Sequence, residues 1–241
     1  MTRRSFAIRH LKFAPPGEEA ASKYLLHWET GDLYRAPESF PRISTAQLFG
    51  TEGPLELEIG CGTGEFLCTL AANNPSRYFV GIDISLKAIY IAVENAHSHG
   101  LNNIKFVKAA VQFIYPLLVP GSLDAIYIHF PDPCLHPKYR KRRIFNRDFL
   151  DIAFRALADR GLISVVTDKP VLFWDLLAII EEDSRYEKTH AERYLTGFDP
   201  GVKSRYQSIW EKHGTEPLRF EVRKQAEVAA NAPGDSIAGI K

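Results

Sequence analysis

From Leu55 onward the chain alternates short apolar runs with amphipathic stretches, and no other feature narrows its fold so far. Strands that each lead into a helix signal βαβ units, because two parallel neighbours need a long crossover between them. Leu55–Ile59 reads as the first strand of the series and Glu65–Ala72 as its helix. Tyr78–Ile82 is the second strand, and Leu86–His97 is a helix with Ile89, Val93 and Ala96 on one face. Ile104–Lys108 is the third strand, and Ser122–His129 the fourth, bounded by Pro120-Gly121 and Pro131. Ile144–Leu157 is helical, Leu162–Thr167 is the fifth strand, and Val171–Glu182 is a helix with Pro170 near its start. Tyr186–Tyr194 and Leu218–Arg223 are expected to form an antiparallel pair at the C-terminal edge, joined by a long loop. The predicted fold class is α/β, a doubly wound and mostly parallel sheet. Residues 1–53 read as a basic, partly disordered extension, 54–224 as the main domain and 225–241 as a disordered tail.

The first strand ends in Glu58-Ile59-Gly60-Cys61-Gly62-Thr63-Gly64, and Asp83 follows Gly64 by nineteen residues, at the end of the second strand. Glycines there allow a tight strand-to-helix turn and let a ligand approach the backbone with no Cβ in the way. An acid at the end of the second strand suits a ribose diol, whose two hydroxyls it can accept. A dinucleotide site would call for G-x-G-x-x-G and a pyrophosphate at the helix N-terminus. The shorter G-x-G-x-G spacing behind Glu58 instead resembles S-adenosylmethionine methyltransferases of the Rossmann-like class I fold.

The fourth strand runs into Phe130-Pro131-Asp132-Pro133. Ligands of open parallel sheets lie beyond the carboxyl ends of the strands, so Asp132 is predicted on the same rim as Gly60–Gly64. The prolines on either side restrict the backbone that carries it. Beyond it, Lys138, Arg140, Lys141, Arg142, Arg143 and Arg147 fall within ten residues of a chain whose formal net charge is only +1. So local a basic cluster points to one polyanion contact, and not to a protein coated for nonspecific binding. The three cysteines have neither zinc-ligand spacing nor an even disulfide set, and the basic N-terminus lacks the apolar core of a secretory signal. A cytoplasmic protein with no metal and no membrane contact is expected.

The block FPDPCLHPKYRKRR is similar to the FPDPW…K-R signature of bacterial tRNA (guanine-N7-)-methyltransferases. LELEIGCGTGEFL and FVGIDIS resemble that family's cofactor segments, Thr167-Asp168 its T-D after the fifth strand, and Arg4-Ser5-Phe6 its N-terminal R-S-F. The similarity runs with gaps over most of residues 3–224. It implies a monomeric or weakly dimeric enzyme that uses S-adenosyl-L-methionine to methylate N7 of a guanine in tRNA. Glu58, Gly60, Gly62, Gly64, Asp83 and Ala110 are implied at the cofactor and Asp132 as the catalytic or base-holding acid. His136, Lys138, Arg142, Arg143, Asp168, Ser204, Arg205, Tyr206 and Gln207 are implied at the substrate.

The chain differs from the family pattern at several positions: Cys134 stands in place of Trp, Ala110 in place of an acid or amide, His136 in place of Lys, and Ser204, Arg205 and Gln207 in place of Thr, Lys and Glu. Two other readings stay open on the residues. Pro131-Asp132-Pro133 distantly resembles the D/N-P-P motif of methyltransferases acting on an exocyclic amine, and the changes at Cys134, Ala110 and Gln207 would suit a noncatalytic RNA-binding relative. Tyr206 and Trp210 on the late loop are candidates for stacking on a base.

Overall fold

The computed structural model describes residues 13–134, 136, 138, 143–199, 201 and 216–226. The basic start of the chain, Leu135, Pro137, 139–142, most of the late loop and the tail beyond Ala226 lie outside them.

In chain order the elements are α1 (Glu18–Tyr24), β1 (Leu25–Leu26), α2 (Thr30–Arg35), α3 (Thr45–Phe49), β2 (Leu55–Ile59), α4 (Glu65–Asn73), β3 (Tyr78–Asp83), α5 (Leu86–Ser98) and β4 (Ile104–Lys108). Then follow β5 (Leu123–His129), α6 (Arg147–Ala156), β6 (Leu157–Thr167), α7 (Pro170–Glu181), β7 (Tyr186–Lys188), β8 (Leu195–Thr196) and β9 (Leu218–Lys224). The strands form one sheet in the order β1-β4-β3-β2-β5-β6-β9-β7, with β8 also on β9. Pairing is parallel from β1 to β6 and antiparallel at β9. The mostly parallel sheet with an antiparallel C-terminal edge agrees with the sequence reading.

Successive strand residues face opposite sides of the sheet, and this alternation divides the core in two. Leu55, Leu57 and Ile59 pack with Phe149 and Leu150 of α6 and Leu172, Phe173 and Leu176 of α7. On the other face, Leu67 and Cys68 of α4 pack with Ile89, Ala92 and Val93 of α5 and with Tyr24 of α1. β2 lies between the two crossover directions, so its C-terminal end is the topological switch point.

Two features differ from the pattern read in the sequence. β6 begins at Leu157, directly after α6, and not at Leu162. Its register against β5 shifts between Leu123 and Ala125, with Arg160 at φ +64°, and this irregularity carries the polar Ala158-Asp159-Arg160-Gly161 stretch that interrupts the apolar run. The segment before Leu55 also holds structure that its short, Pro- and charge-rich sequence conceals. Leu33 and Ile43 are fully in the core, β1 adds a parallel edge to β4, and Tyr24 donates its hydroxyl to Leu101 O at 2.7 Å.

One buried polar network crosses the helical face of β2 and β5. Glu56, 6% exposed, accepts from the Arg77 guanidinium and, at 2.7 Å, from the Tyr127 hydroxyl, while Arg77 also donates to Asp124 at 2.8 Å. Removing one partner of a buried pair costs more than the pair contributes, because a charge is left desolvated. Arg77→Met should therefore lower the urea-derived unfolding free energy by about 2–4 kcal/mol, below the top of the range for deep pairs because Arg77 is partly exposed. A loss under about 0.5 kcal/mol would show that Arg77 does not compensate Glu56.

Candidate active site

The turn after β2 is fixed from both neighbouring elements. The N–H groups of Gly60 and Cys61 both donate to Ile82 O, at 2.7 and 3.1 Å, which binds the turn to β3. Gly62 N–H donates to Asp83 Oδ2 at 3.0 Å, and Ser85 N–H donates to Asp83 Oδ1 at 2.8 Å. Asn95 of α5 donates to Thr63 O at 2.8 Å. Gly60, Gly62 and Gly64 have φ values of +82°, +58° and +78°, which residues with a Cβ rarely adopt. A Cβ on Gly64 would lie 2.9 Å from the Ala92 Cβ, so this glycine also permits the close approach of α5. Asp83 is buried, and so is Glu58 just before the turn. Burial first, then the charges of Glu58 and Glu65, push the Cys68 thiol up to about 12, which makes it a packing residue and not a nucleophile.

The second wall of the site begins where β5 ends. Phe130 N–H donates to Val166 O at 2.7 Å, tying the two strand ends together. Phe130 and Cys134 sit at φ +48° and +41°, so two strained residues bracket Pro131-Asp132-Pro133. Asp132 Oδ1 accepts from Cys134 N–H at 3.0 Å, which holds the half-buried carboxylate against its own turn. Just past the end of β6, the Asp168 carboxylate pairs with Lys169 at 2.5 Å.

Beneath this rim lies an aromatic cluster built around His129. Its ring is 4.6 Å from Phe66, 5.5 Å from Tyr127 and 4.9 Å from Phe198 between centroids, and Nε2 is 3.2 Å from Ser164 Oγ. Phe198 also meets Phe130, at 6.1 Å, so the beginning of the late loop is anchored on the strand that carries Asp132. Burial, and to a smaller extent Arg219, holds His129 down to about 3. In sequence His129 is simply the last residue of the fourth strand. The signal was there: Tyr127 and His129 put two polar rings on one face of the strand, immediately before the Phe-Pro-Asp-Pro block.

A family model described as a putative methyltransferase matches residues 52–218. A tRNA (guanine-N(7)-)-methyltransferase of Rubrobacter xylanophilus is 47% identical over 222 residues, covering 92% of this chain and 99% of the relative. The enzyme of the same name from Chloroherpeton thalassium is 38% identical over 215 residues, 89% of this chain and 95% of the relative. The chain belongs to the tRNA (guanine-N(7)-)-methyltransferase family. Among solved structures, the 16S rRNA methyltransferase KamB superposes with a TM-score of 0.56 at 16% identity, over 75% of this chain and 92% of that one. An antibiotic-related methyltransferase superposes with a TM-score of 0.52 at 20% identity, over 83% and 96% of the two chains. At these identities the likeness is one of fold.

Within this family frame, the rim brings together most of the residues named from the sequence. Glu58, the three glycines and Asp83 surround the turn, and half-buried Ala110 follows the end of β4. Asp83 has a duty that the sequence did not suggest, since both of its oxygens hold backbone N–H groups of the turn and of the start of α5. His136 and Lys138 are exposed, with Lys138 N–H donating to His136 Nδ1 at 3.3 Å. Arg143 is placed differently from Lys138. Its side chain is 10% exposed, pairs with Asp175 of α7 at 2.6 Å and donates from Nε to Pro133 O at 3.1 Å. Arg142, Ser204, Arg205, Tyr206, Gln207 and Trp210 lie outside the described residues. Among the described residues, no helix is long and apolar enough to cross a membrane, and no three metal-ligating side chains converge.

The buried His129 sets a testable acid response. In an unfolded chain histidine titrates near 6.5, whereas the folded protein holds His129 near 3. Below pH 6.5 the unfolded state therefore takes up a proton that the folded state refuses, and stability falls progressively until the pH approaches 3. The slope from this group is at most about 1.4 kcal/mol per pH unit. Urea unfolding between pH 7 and about pH 5 should be visibly flatter in His129→Gln than in the parent protein, and parallel slopes would contradict the assignment.

Proposed function

We propose that the protein transfers the methyl group of S-adenosyl-L-methionine to N7 of a guanine in tRNA, acting in the cytoplasm as a monomer or weak homodimer. The observation that carries this reading is the meeting of two constellations on one rim. The glycine turn held by Asp83 lies at the switch point, and Asp132 stands just beyond the end of the adjacent strand β5, with exposed Lys138 after it.

The residues present fit the cofactor. Three glycines at positive φ shape the turn, and the buried acids Glu58 and Asp83 flank it. Acidic neighbours suit a ligand that carries a cationic sulfonium and an ammonium group and no phosphate. When bound, the cofactor supplies a methyl group on that sulfonium. Glu58, the turn and Asp83 would hold it, with Ala110 lining the far side.

N7 of guanine keeps its lone pair at neutral pH, so the protein needs no strong base. Its task is to hold the base in line with the methyl donor, and such positioning supplies on the order of 7–11 kcal/mol in favourable cases. A carboxylate offers about four lone-pair sites, so Asp132 retains acceptor capacity beyond its bond to Cys134. It would accept from the guanine N1–H and N2–H₂ edge of a base swung out of its stack. The same negative charge favours the purine cation that develops at transfer. Asp168, His136, Lys138 and Arg142 would face the tRNA, together with Ser204, Arg205, Tyr206 and Gln207 of the late loop. The basic residues among them supply the salt-dependent phosphate contacts.

Incubation of bulk tRNA with methyl-labelled cofactor tests the role of Asp132. Asp132→Ala should reduce incorporation by at least about 100-fold. Its cofactor affinity, measured by calorimetry, should stay within about twofold, because Asp132 lies outside the turn. Full activity of the variant would refute the role given to this carboxylate.

A further inference from the structure

Arg143 closes the basic run, yet its surroundings differ from those of a phosphate contact. Its guanidinium spans two elements: Nη1 meets Asp175 Oδ2 on α7 at 2.6 Å, and Nε donates to the carbonyl of Pro133 at 3.1 Å. That carbonyl belongs to the residue next to Asp132. The backbone of Arg143 is fixed as well, because its carbonyl accepts from Asn146 Nδ2 at 3.2 Å and Asn146 caps α6 by accepting from Phe149 N–H at 2.8 Å. The remaining guanidinium nitrogen, Nη2, is buried without a hydrogen-bond partner among the described residues. A planar fork that spans a carboxylate and a carbonyl cannot be matched by a lysine, which offers one point charge.

We infer that Arg143 is a positioning residue, which with Asp175 clamps the strained Phe130–Cys134 turn and so sets the place of the Asp132 carboxylate. The assignment rests on the methyl-transfer reading above for its kinetic consequence, and on geometry alone for the clamp. α7 starts three residues after the end of β6, so the clamp ties the two strand ends on this rim through a rigid helix. Misplacing a reacting group by about 1 Å costs on the order of 100-fold in rate, which gives such a clamp a large lever on kcat.

The decisive variants are Arg143→Lys and Asp175→Asn. Both should lower kcat by roughly 10–100-fold, with the KM for tRNA and the cofactor affinity nearly unchanged. The slope of log affinity against log salt should also stay put, whereas the loss of a phosphate contact would reduce it by about 0.7–0.9. Asp175→Asn separates the alternatives by sign. If Arg143 were a phosphate contact held back by Asp175, releasing it would tighten tRNA binding and steepen the salt dependence, and either result would overturn the inference. Asp175→Glu, which keeps the carboxylate, should retain more of kcat than Asp175→Asn. If Arg143→Lys fails to fold, Asp175→Asn decides the matter alone. Hydrogen exchange across Phe130–Cys134 should accelerate in both variants, and unchanged exchange would sink the clamp. That readout needs no methyl transfer, so a failure of the clamp is distinguishable from a failure of the reaction reading, which would appear as no incorporation by the parent protein.

Discussion

The hydrogen bonds from the turn and from the N-cap of α5 to the Asp83 carboxylate are the constraint around which the site is organised. They join the last residue of β3 to the loop that leaves β2, at the point where the crossovers diverge. Hydrogen bonds to an ionised acceptor are roughly twice as strong as neutral ones, and burial at 5% exposure sharpens them further. With the turn held there, Gly64 admits α5 and the helix–sheet packing behind the site follows. One carboxylate therefore couples the central strands to the cradle that would face the cofactor.

The other half of the rim is built on strain and counter-strain. Phe130 and Cys134 take backbone conformations that cost free energy for residues with a side chain. The Phe130 bond to Val166, the Asp132 bond to Cys134 and the Arg143–Asp175 pair offset that cost. The aromatic group of Phe66, Tyr127, His129 and Phe198 reaches the same turn through the contact of Phe198 with Phe130. A base presented here would meet a carboxylate whose position is determined from several directions, which is what a reaction limited by alignment requires.

Much of this was legible in the sequence, for reasons that particular residues make plain. Leu55–Ile59 and Ile104–Lys108 are short, mostly apolar runs rich in branched side chains, and their bounds agree with those of β2 and β4. The glycine spacing and Asp83 stand out because backbone geometry there leaves few residue types to choose from. The structured part of the N-terminal segment was hidden, since α1, α2 and α3 are only seven, six and five residues long and have too few turns for a periodic pattern. Arg143 was hidden for another reason. In sequence it is one more cation in a run, and its pairing with Asp175, thirty-two residues on, is visible only in the fold. His129 likewise gained meaning only once Phe198 was seen to fold back over it.

The chemistry of this rim comes down to aligning N7 of a guanine with a methyl donor. The most direct measurement is the identity of the modified nucleoside after the purified protein has acted on bulk tRNA with labelled cofactor, resolved by chromatography and mass spectrometry of the digest. The label should reside in N7-methylguanosine. A label on an exocyclic amine, or tRNA bound with no methyl transferred at saturating cofactor, would contradict this reading.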